Sequence, residues 1–322
     1  MGRRVAIIVS VSPFEPEDVV LKSADHIRNL CFDGLETKIV YVIDLNGKED
    51  RRGLKLKEMG VEVYERYHSR GRKAGAINDC IRFLKISGFE PDYVVFFDVD
   101  SRPSHNFVIE CVRALEKEKN AYMSSSERRV INPDSFVAET LDIEYRIFNY
   151  FLKRSSFKNF NGLIGAVKGD LIIKNPLDEG SFAEDLEFNV RMHAMGYRSI
   201  FVDGCPVYEQ APVRWIDLYR QRKRWYYGGI QLLRKEYLRK NLKFGILIFS
   251  EIVAAHLIGL FLPFIILGSP IILYRYRKIK KLRILAGLAV YLAVNQAAAL
   301  VSLYSFLRRR EIEWQGVKRV GR

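Results

Sequence analysis

Cysteine is scarce in this chain, and the few cysteines are scattered. The 322 residues include four, Cys31, Cys80, Cys111 and Cys205, and no two of them form a CxxC pair. Disulfide frameworks and zinc ribbons need clustered cysteines, so this usage argues against both and favours a reducing compartment. The sequence also lacks the GxxxxGK[ST] spacing of a Walker A loop, which excludes that route to nucleotide binding.

Acidic residues are outnumbered by basic ones. The chain has 38 Asp and Glu against 52 Lys and Arg, a formal net charge of +14. This excess predicts an anionic partner, which could be nucleic acid, a phosphorylated small molecule or an acidic membrane surface. The sequence carries no RNA-binding aromatic signature, so nucleic acid is the least favoured of the three.

Charge almost disappears near the end of the sequence. Residues 244–274 contain two ionisable side chains, Glu251 and His256, and residues 284–307 carry no charge. A bilayer core of about 30 Å needs roughly 20 apolar helical residues, so the second run predicts a membrane span. The first run is longer than one span, and its two prolines predict a kink, a tilt or an interfacial piece.

These runs predict a multi-pass protein of the cell membrane with about two spans and a cytoplasmic soluble part. The basic segment 275–283 between the runs fits the positive-inside tendency poorly if there are two spans. Three passes, or a re-entrant first stretch, would place this segment inside instead.

Strand-like and helix-like segments alternate through residues 1–240. RVAIIVSV, TKIVYVID and DYVVFFDVD are strand-like, and KAGAINDCIRFLKISG is helix-like. Continuously apolar strands between helices predict an α/β fold, with a mixed but mostly parallel sheet covered on both faces. The first of these strands is short and β-branched, which predicts a core strand and not a signal peptide. Ligands of such sheets bind at the carboxyl ends of strands, where Asp44, Asp98 and Asp100 fall.

Asp98 and Asp100 lie one residue apart at the end of the apolar run VVFF. Residues i and i+2 of a strand point to the same side, so both carboxylates can address one point. Mg²⁺ and Mn²⁺ prefer hard oxygen ligands and are usually completed by substrate phosphates. The pair therefore predicts a metal site, with a simple turn at SRPS capped by Asp100 as the alternative.

The segment HSRGRKAGAIND, residues 68–79, places Gly71 and Gly75 around Arg72 and Lys73 just before a helix. Glycines let backbone approach a ligand, and a helix N-terminus with two cations favours phosphate. A solvated basic turn is an equally good explanation of this segment alone.

Glu184 and Asp185 open an amphipathic helix further along the chain. One explanation is stabilisation of acids at a helix start by the helix dipole. The other is a general base placed near a metal-bound donor. The glycine-interrupted apolar segment upstream, residues 161–170, would permit close approach of a substrate.

Arginines and aromatic residues are interleaved through residues 214–244, directly before the first apolar run. A basic, aromatic helix at this place predicts an interfacial helix on anionic lipid. Within it, Gln221, Arg224 and Trp225 have the i, i+3, i+4 spacing of one helix face.

Together these segments resemble the membrane-anchored family 2 inverting glycosyltransferases of the GT-A fold. This group includes cellulose, chitin and hyaluronan synthases and ceramide glucosyltransferases. Asp44 matches the nucleotide-binding aspartate after the second strand, and GRKAGAIN resembles the GKAGxxN segment. DVDS is similar to the DxD motif, AED to [TS]ED and QRKRW to Q/RxxRW. The five motifs occur in the family's order before the apolar runs.

The resemblance implies roles on the donor side. Asp44 and Lys73, with Arg72 beside it, would contact the nucleotide. Asp98 and Asp100 would hold the diphosphate through Mg²⁺ or Mn²⁺.

The resemblance also implies roles on the acceptor side. Asp185, with Glu184 next to it, would take the proton of the acceptor hydroxyl. Arg224 would steady the diphosphate leaving group, Gln221 would contact substrate and Trp225 would shape the acceptor site.

Three departures from the family pattern concern the nucleotide end and the base motif. Pro13 and Glu15 remain from the pattern that ends the first strand and are expected to contact substrate, but its asparagine is missing. Leu45 stands where an aspartate often follows Asp44, and Ala183 replaces the first residue of [TS]ED. The DxD pair and the expected base are intact.

The resemblance implies metal-dependent, inverting transfer from a nucleotide sugar, expected to be a UDP-sugar. Two apolar runs are too few for a polymer-secreting channel, so the expected acceptor is membrane-associated or lipid-linked. The alternatives are a processive polysaccharide synthase acting as a homo-oligomer and a degenerate, non-catalytic nucleotide-sugar-binding membrane protein. The predicted parts are a GT-A catalytic domain at 1–213, an amphipathic interfacial helix region at 214–243, a transmembrane region at 244–307 and a basic tail at 308–322.

Overall fold

The computed structural model describes residues 2–47, 49–257, 259, 267–271, 274, 283–310 and 312. The chain divides into two compact units. The first unit comprises Met1–Arg129 and Arg146–Gln210, and the second comprises Val130–Tyr145 and Ala211–Lys318. The segment 130–145, which falls inside the catalytic domain expected from the sequence, thus packs as part of the second unit.

The first unit is built on one eight-stranded sheet with the strand order β3-β2-β1-β4-β7-β6-β8-β5. The strands are β1 Arg3–Val11, β2 Leu35–Asp44, β3 Glu62–Arg66, β4 Tyr93–Asp98, β5 Arg102–Pro103, β6 Ala121–Val130, β7 Gly165–Lys168 and β8 Arg198–Glu209. β3, β2, β1 and β4 run parallel to one another, while β7 pairs antiparallel with both β4 and β6, and β5 pairs antiparallel with β8. The predicted α/β class with a mixed sheet is confirmed.

Helices cover both faces of the sheet. The helices of this part of the chain are α1 Glu17–Arg28, α2 Arg52–Glu58, α3 Arg72–Ile86, α4 Phe107–Lys117, α5 Phe136–Arg154, α6 Gly169–Lys174 and α7 Glu184–Ala194. Alternate residues of the central strands enter opposite cores, with Ile7 packing in the core that contains α1 and α4 and Ile8 in the core that contains α3 and α7. Continuous apolar strands arise because both of their faces are buried.

The parallel half of the sheet positions several side chains of the candidate site. Parallel neighbours end at the same edge, and Asp44 is the register partner of Arg66, while Ser10 is that of Asp98. The ends of β2, β3 and β4 therefore supply an aspartate, an arginine and an aspartate to one edge. The antiparallel strands β6 to β8 were not assigned from the sequence, since polar runs such as SSSERRV lack an apolar strand pattern.

The second unit is helical, with α8 Trp215–Leu232, α9 Glu236–Lys240, α10 Leu242–His256 and α11 Arg283–Leu307. Residues of α8 and α11 form a core with Val137, Ala138 and Leu141 of α5. Within the described chain, α11 is the one helix long and apolar enough to cross a bilayer; its 25 residues would extend about 38 Å.

The other predicted membrane and tail segments fall largely outside the described residues. α10 covers 15 residues at the start of the first apolar run, and much of the remainder of that run is not described. The segment 275–283 is described at Arg283 alone, and the basic tail 308–322 at residues 308–310 and 312.

Polar side chains of α11 pack against α5 and α8. The hydroxyl of Tyr291 donates to Oε1 of Glu144 at 2.7 Å, and the hydroxyl of Tyr226 donates to Oδ1 of Asn295 at 3.1 Å. The hydroxyl of Ser302 donates to the carbonyl oxygen of Lys223 at 2.7 Å. One side of this apolar helix is thus bound by hydrogen bonds within the second unit.

Candidate active site

Lys73 follows a tight backbone turn at the start of α3. Gly71 and Arg72 have φ values of 64° and 51°, in the left-handed region that glycine adopts most easily. The Lys73 ammonium donates to Oδ1 of Asp98 at 2.5 Å and to the carbonyl oxygen of Gly162 at 2.9 Å. The Lys73 cation thus joins Asp98 and Gly162, which lie 25 and 89 positions after it in the sequence.

Lys73 is surrounded by carboxylates. Burial lowers the pKa of Lys73, but the charges of Asp98, Glu184 and Asp185, with the hydrogen bond that Lys73 donates to Asp98, more than offset this and raise it above the ordinary value. The predicted nucleotide-loop lysine, the first acid of the DxD segment and both acids at the start of α7 therefore share one electrostatic environment.

Gly162 is the backbone hub of this cluster. Its N–H donates to Oδ2 of Asp185, and its φ of 68° lies in the left-handed region. A Cβ atom here would lie 3.2 Å from Oδ2 of Asp98 and 3.4 Å from Nζ of Lys73. The position therefore requires glycine both for its backbone conformation and for the close approach of Asp98, Lys73 and Asp185.

Glu184 and Asp185 begin α7, as the sequence predicted. Glu184 is buried and Asp185 is half-buried. Asp185 uses Oδ2 for the Gly162 amide, and its Oδ1 accepts from the amide of Leu186 at 2.8 Å. Two backbone donors thus orient a carboxylate that stays partly open to solvent.

The nucleotide-loop segment is fastened to the chain just before α7. Arg70 forms an ion pair with Glu179, and the guanidinium of Arg72 lies 3.9 Å from the ring centre of Phe182. The Asn78 side chain donates to the carbonyl oxygen of Leu177 at 2.9 Å. The predicted phosphate loop and the approach to the predicted base are therefore one packed structure.

Asp44 lies at the end of β2 and is paired with Arg66, which the sequence did not single out. The two side chains are 3.1 Å apart and both are buried. Burial raises the pKa of Asp44 to about 6, although the charge of Arg66 and a hydrogen bond from Ser69 pull it down. An arginine at the end of the third strand carries no motif signal, so sequence reasoning passed over it.

Pro13 and Glu15 lie half-buried in the loop after β1. Arg52 holds this loop to the end of β2. Its guanidinium donates to the carbonyl oxygens of Ser12 at 2.9 Å, Glu15 at 3.0 Å and Asp44 at 3.1 Å. The two loops expected to face a nucleotide are thus joined by a buried cation.

Glu209, at the end of β8, is a second residue that the sequence did not reveal. It is buried and pairs with Arg128, which also donates to the carbonyl oxygen of Asn161 at 3.1 Å. Its Oε1 has no hydrogen-bond partner in the described part of the chain. Burial raises the pKa of Glu209 to about 7; Arg128 opposes this, and the charges of Asp100 and Asp98 add to it.

The DxD acids fit a divalent cation that another molecule helps to coordinate. Asp98 and Asp100 lie on a turn in which the Ser101 amide donates to the Asp98 carbonyl oxygen at 2.9 Å. The unpartnered oxygen of Glu209 adds negative charge beside them. Within the described residues, no three His, Cys, Asp or Glu side chains gather into a metal-holding group. The carboxylates of Asp98 and Asp100 are of the oxygen-donor type that Mg²⁺ and Mn²⁺ accept when phosphate oxygens and water complete the coordination.

Gln221, Arg224 and Trp225 are half-buried on α8 in the second unit. The buried cation of this segment is Arg222, which lies between the predicted positions. Its guanidinium donates to Oε2 of Glu144 at 2.6 Å and lies 4.3 Å from the ring centre of Trp225. Burial lowers the pKa of Arg222, but Glu144 and neighbouring tyrosines outweigh this and raise it.

The family model for glycosyl transferase family group 2 matches residues 93–303, about two thirds of the chain. The chain belongs to this family. The resemblance to family 2 glycosyltransferases that the sequence motifs indicated is thereby confirmed. The matched region begins at β4 and includes the DxD segment, the AED segment and the QRKRW segment.

Curated relatives of the chain include two proteins named as mannosyltransferases. Beta-1,4-mannosyltransferase egh of Drosophila melanogaster is 24% identical over 255 residues, which cover 72% of this chain and 54% of that protein. Glucomannan 4-beta-mannosyltransferase 7 of Arabidopsis thaliana is 23% identical over 172 residues, covering 51% of this chain and 31% of the relative. The chain therefore spans only about a third to a half of these relatives.

A solved structure has the same fold over most of the chain. It is the mannosyltransferase PcManGT from Pyrobaculum calidifontis, in complex with GDP-Man and Mn²⁺. The TM-score is 0.63 at 19% identity, and the match covers 97% of this chain and 89% of that chain. The likeness shows the GT-A fold.

Proposed function

We propose that the glycosyltransferase moves a sugar from a nucleoside-diphosphate sugar to a hydroxyl of a membrane-associated or lipid-linked acceptor, with inversion and with Mg²⁺ or Mn²⁺. The observation that carries this proposal is the cluster around Gly162. It joins a cation of the nucleotide loop, Lys73, to a DxD acid, Asp98, and to an oriented carboxylate, Asp185.

The donor side of the proposed reaction needs positive charge for a diphosphate. Lys73 and Arg72 would contact the phosphates, and Asp44 would accept hydrogen bonds from the nucleobase. Asp98 and Asp100 would hold the divalent ion, which when bound would neutralise charge on the diphosphate oxygens. Because Lys73 lies beside Asp98, its ammonium and the divalent ion would both face the diphosphate leaving group.

Asp185 would serve as the general base. Its carboxylate would take the proton of the acceptor hydroxyl while that oxygen forms a bond to the anomeric carbon of the donor sugar. The bond from the anomeric carbon to the diphosphate breaks in the same displacement, and the nucleoside diphosphate leaves with the electron pair. Hydrogen bonds from the amides of Gly162 and Leu186 fix the carboxylate for this task.

The family resemblance assigns the acceptor side to residues 214–243 and the membrane anchor to residues 244–307. Arg224 would stabilise the charge that develops on the diphosphate, and Gln221 and Trp225 would contact substrates. The apolar helix α11 supports a membrane location, with several of its large apolar side chains exposed. The division into a catalytic domain at 1–213, an interfacial region at 214–243 and membrane segments at 244–307 is part of this proposal.

Mannose is the first sugar to test. Two relatives are named mannosyltransferases, and the solved GT-A structure carries GDP-Man and Mn²⁺. The family resemblance suggested a UDP-sugar, so both nucleotides belong in the assay. Detergent-solubilised protein is incubated with GDP-mannose and a panel of UDP- and dTDP-sugars, with Mg²⁺ or Mn²⁺ and membrane lipid extract, and nucleotide release is measured.

The expected result is metal-dependent release of one nucleotide, reduced roughly 10²- to 10⁴-fold in Asp185→Asn, the range for loss of a general base. Donor binding should survive in that variant, because Asp185 acts on the acceptor. Release from no donor in the presence of lipid acceptor would contradict the proposal. A product with many added sugars would favour a processive synthase over single addition.

A further inference from the structure

Arg66 occupies a central position that none of the matched motifs includes. It ends β3, pairs in register with Asp44 at the end of β2, and is 5% exposed. Its guanidinium reaches two carboxylates: Nη1 lies 3.1 Å from Oδ1 of Asp44, and Nε lies 3.1 Å from Oδ2 of Asp79 on α3. One buried cation thus joins a strand end to the helix of the nucleotide loop.

The same guanidinium also holds the nucleotide loop by its backbone. Nη2 donates to the carbonyl oxygen of Arg70, and Nη1 donates to that of Arg72 at 3.3 Å. These two carbonyls flank Gly71, which adopts a left-handed backbone. The loop passes close to α3, because a Cβ atom on Gly75 would lie 2.0 Å from the Arg70 carbonyl oxygen.

Only arginine suits this position. Its planar guanidinium has five N–H donors in a fixed fork and keeps its charge when buried. Lysine would keep the charge, but its single ammonium could not reach two carboxylates on different elements and two loop carbonyls together. Asp44 and the loop are therefore held at a set spacing by one rigid group.

We propose that Arg66 is a positioning residue for the donor, which couples recognition of the nucleobase by Asp44 to the diphosphate loop at residues 70–73. This inference rests on the proposed function, since it assigns the two ends of this network to the two ends of a nucleoside diphosphate. Arg66 itself touches no substrate; it fixes the distance between the groups that do.

The first measurement compares donor KM and kcat in the full-length protein in detergent. In Arg66→Lys, donor KM should rise roughly 10- to 100-fold, the range for losing hydrogen bonds to a charged group, while kcat at saturating donor changes little. Binding of UDP and GDP, followed by calorimetry, should weaken by the same factor. Arg82→Gln is the matched control, because Arg82 pairs with the same Asp79 from the exposed surface and does not contact Asp44.

The second measurement is the pH dependence of donor KM. Ionised Asp44 accepts N–H groups more strongly than the neutral acid, so donor KM should rise as the pH falls through the pKa of Asp44. The charged groups that face Asp44 are Arg66, Arg52 and Asp79, together with the hydroxyl of Ser69. Arg66→Gln removes a positive charge, so the acid limb should move to higher pH. In Arg66→Lys, which keeps the charge, the limb should stay near its wild-type position.

The outcomes separate this inference from the proposed function. If the wild-type protein binds nucleotide and Arg66→Lys keeps its donor KM, Arg66 has a structural role only, and the inference is wrong. If the wild-type protein binds none of the nucleotides, the proposed function fails and the inference fails with it. Should Arg66→Gln not fold, the KM of Arg66→Lys still decides.

Discussion

The ammonium of Lys73 lies 2.5 Å from Oδ1 of Asp98, so the nucleotide loop and the DxD segment are joined by an ion pair. The carboxylate that would bind a divalent ion thus already has a cation beside it. A divalent ion and Lys73 would compete for the negative charge of Asp98 until a diphosphate binds, whose own charge would neutralise both cations.

Replacing this lysine should therefore affect metal and donor in opposite directions. In Lys73→Met, we expect Mn²⁺ to bind about 3- to 10-fold more tightly without donor, because a like charge has been removed. Nucleotide-sugar turnover, as kcat/KM, should fall roughly 10- to 100-fold, because the diphosphate loses a half-buried charge partner. Electron paramagnetic resonance of free Mn²⁺ measures the first quantity and nucleotide release the second. Lys55→Met, at an exposed ion pair with Glu17, should change neither.

Gly162→Ala should lower kcat/KM by more than its loss of stability alone would explain. The φ of 68° costs an alanine roughly 1 kcal/mol, and the new methyl group would meet Asp98 and Lys73. We expect kcat/KM to fall at least tenfold. Gly34→Ala is the matched control, since its φ is 77° and its Cβ meets nothing within 4 Å. Equal activity in the two variants at a similar loss of thermal stability would show that Gly162 serves the backbone alone.

Replacing Arg222 alone should lower the free energy of unfolding more than replacing Arg222 and Glu144 together. Arg222→Met leaves Glu144 with the Tyr291 hydroxyl but without its buried cation, and losing one partner of a buried pair costs about 3–5 kcal/mol. Adding Glu144→Gln should restore part of this, because the amide still accepts from Tyr291. Thermal unfolding monitored by tryptophan fluorescence reports on this unit, since Trp215 and Trp225 lie in α8. Additive losses in the double variant would contradict the pairing.

His193 should make the first unit sensitive to acid. It lies on α7 against the rings of Tyr122 and Phe157, and burial, with the charge of Lys158, lowers its pKa to about 4. In the unfolded chain, His193 binds a proton near pH 6.5. The contribution of His193 to the free energy of unfolding should therefore be fully present above this pH and be lost as the pH falls toward 4. The loss approaches roughly 3 kcal/mol, since each pH unit of pKa difference is worth about 1.4 kcal/mol.

Hydrogen exchange of α7 amides measures this effect in the intact protein. In His193→Gln, which can still bond to the Ser199 hydroxyl near 3.2 Å from the ring nitrogen, the free energy of opening should vary less between pH 6.5 and 4. An unchanged pH dependence would assign the acid sensitivity to other groups.

The parallel half of the sheet was predictable from the sequence because its strands are buried on both faces. Runs such as VAIIV and VVFF alternate with helices and leave little ambiguity. The antiparallel half was not, because β6 carries SSSERRV and β7 has four residues. These strands are specified by their neighbours in the sheet and not by their own apolar pattern.

The residues of the candidate site also fall into those that the sequence predicted and those that it did not. Lys73, Asp98 and Asp185 belong to compact motifs, and the structure places all three around Gly162. Arg66 and Glu209 were missed because each is a lone charged residue at a strand end, and its partners lie elsewhere in the chain. Glu209 is 81 positions from Arg128, and only the folded sheet brings the two together.

The discontinuous second unit has a consequence for biosynthesis. Glu139 and Glu144 pair with Arg283 and Tyr291, which are 144 and 147 positions later in the chain. At about 5–20 residues per second of synthesis, roughly 7–30 s pass between the translation of these acids and the translation of their partners on α11. Completion of α11 therefore limits assembly of this unit: a nascent chain that stops after α8 has Arg222 for Glu144 but lacks Arg283, the partner of Glu139 on α11.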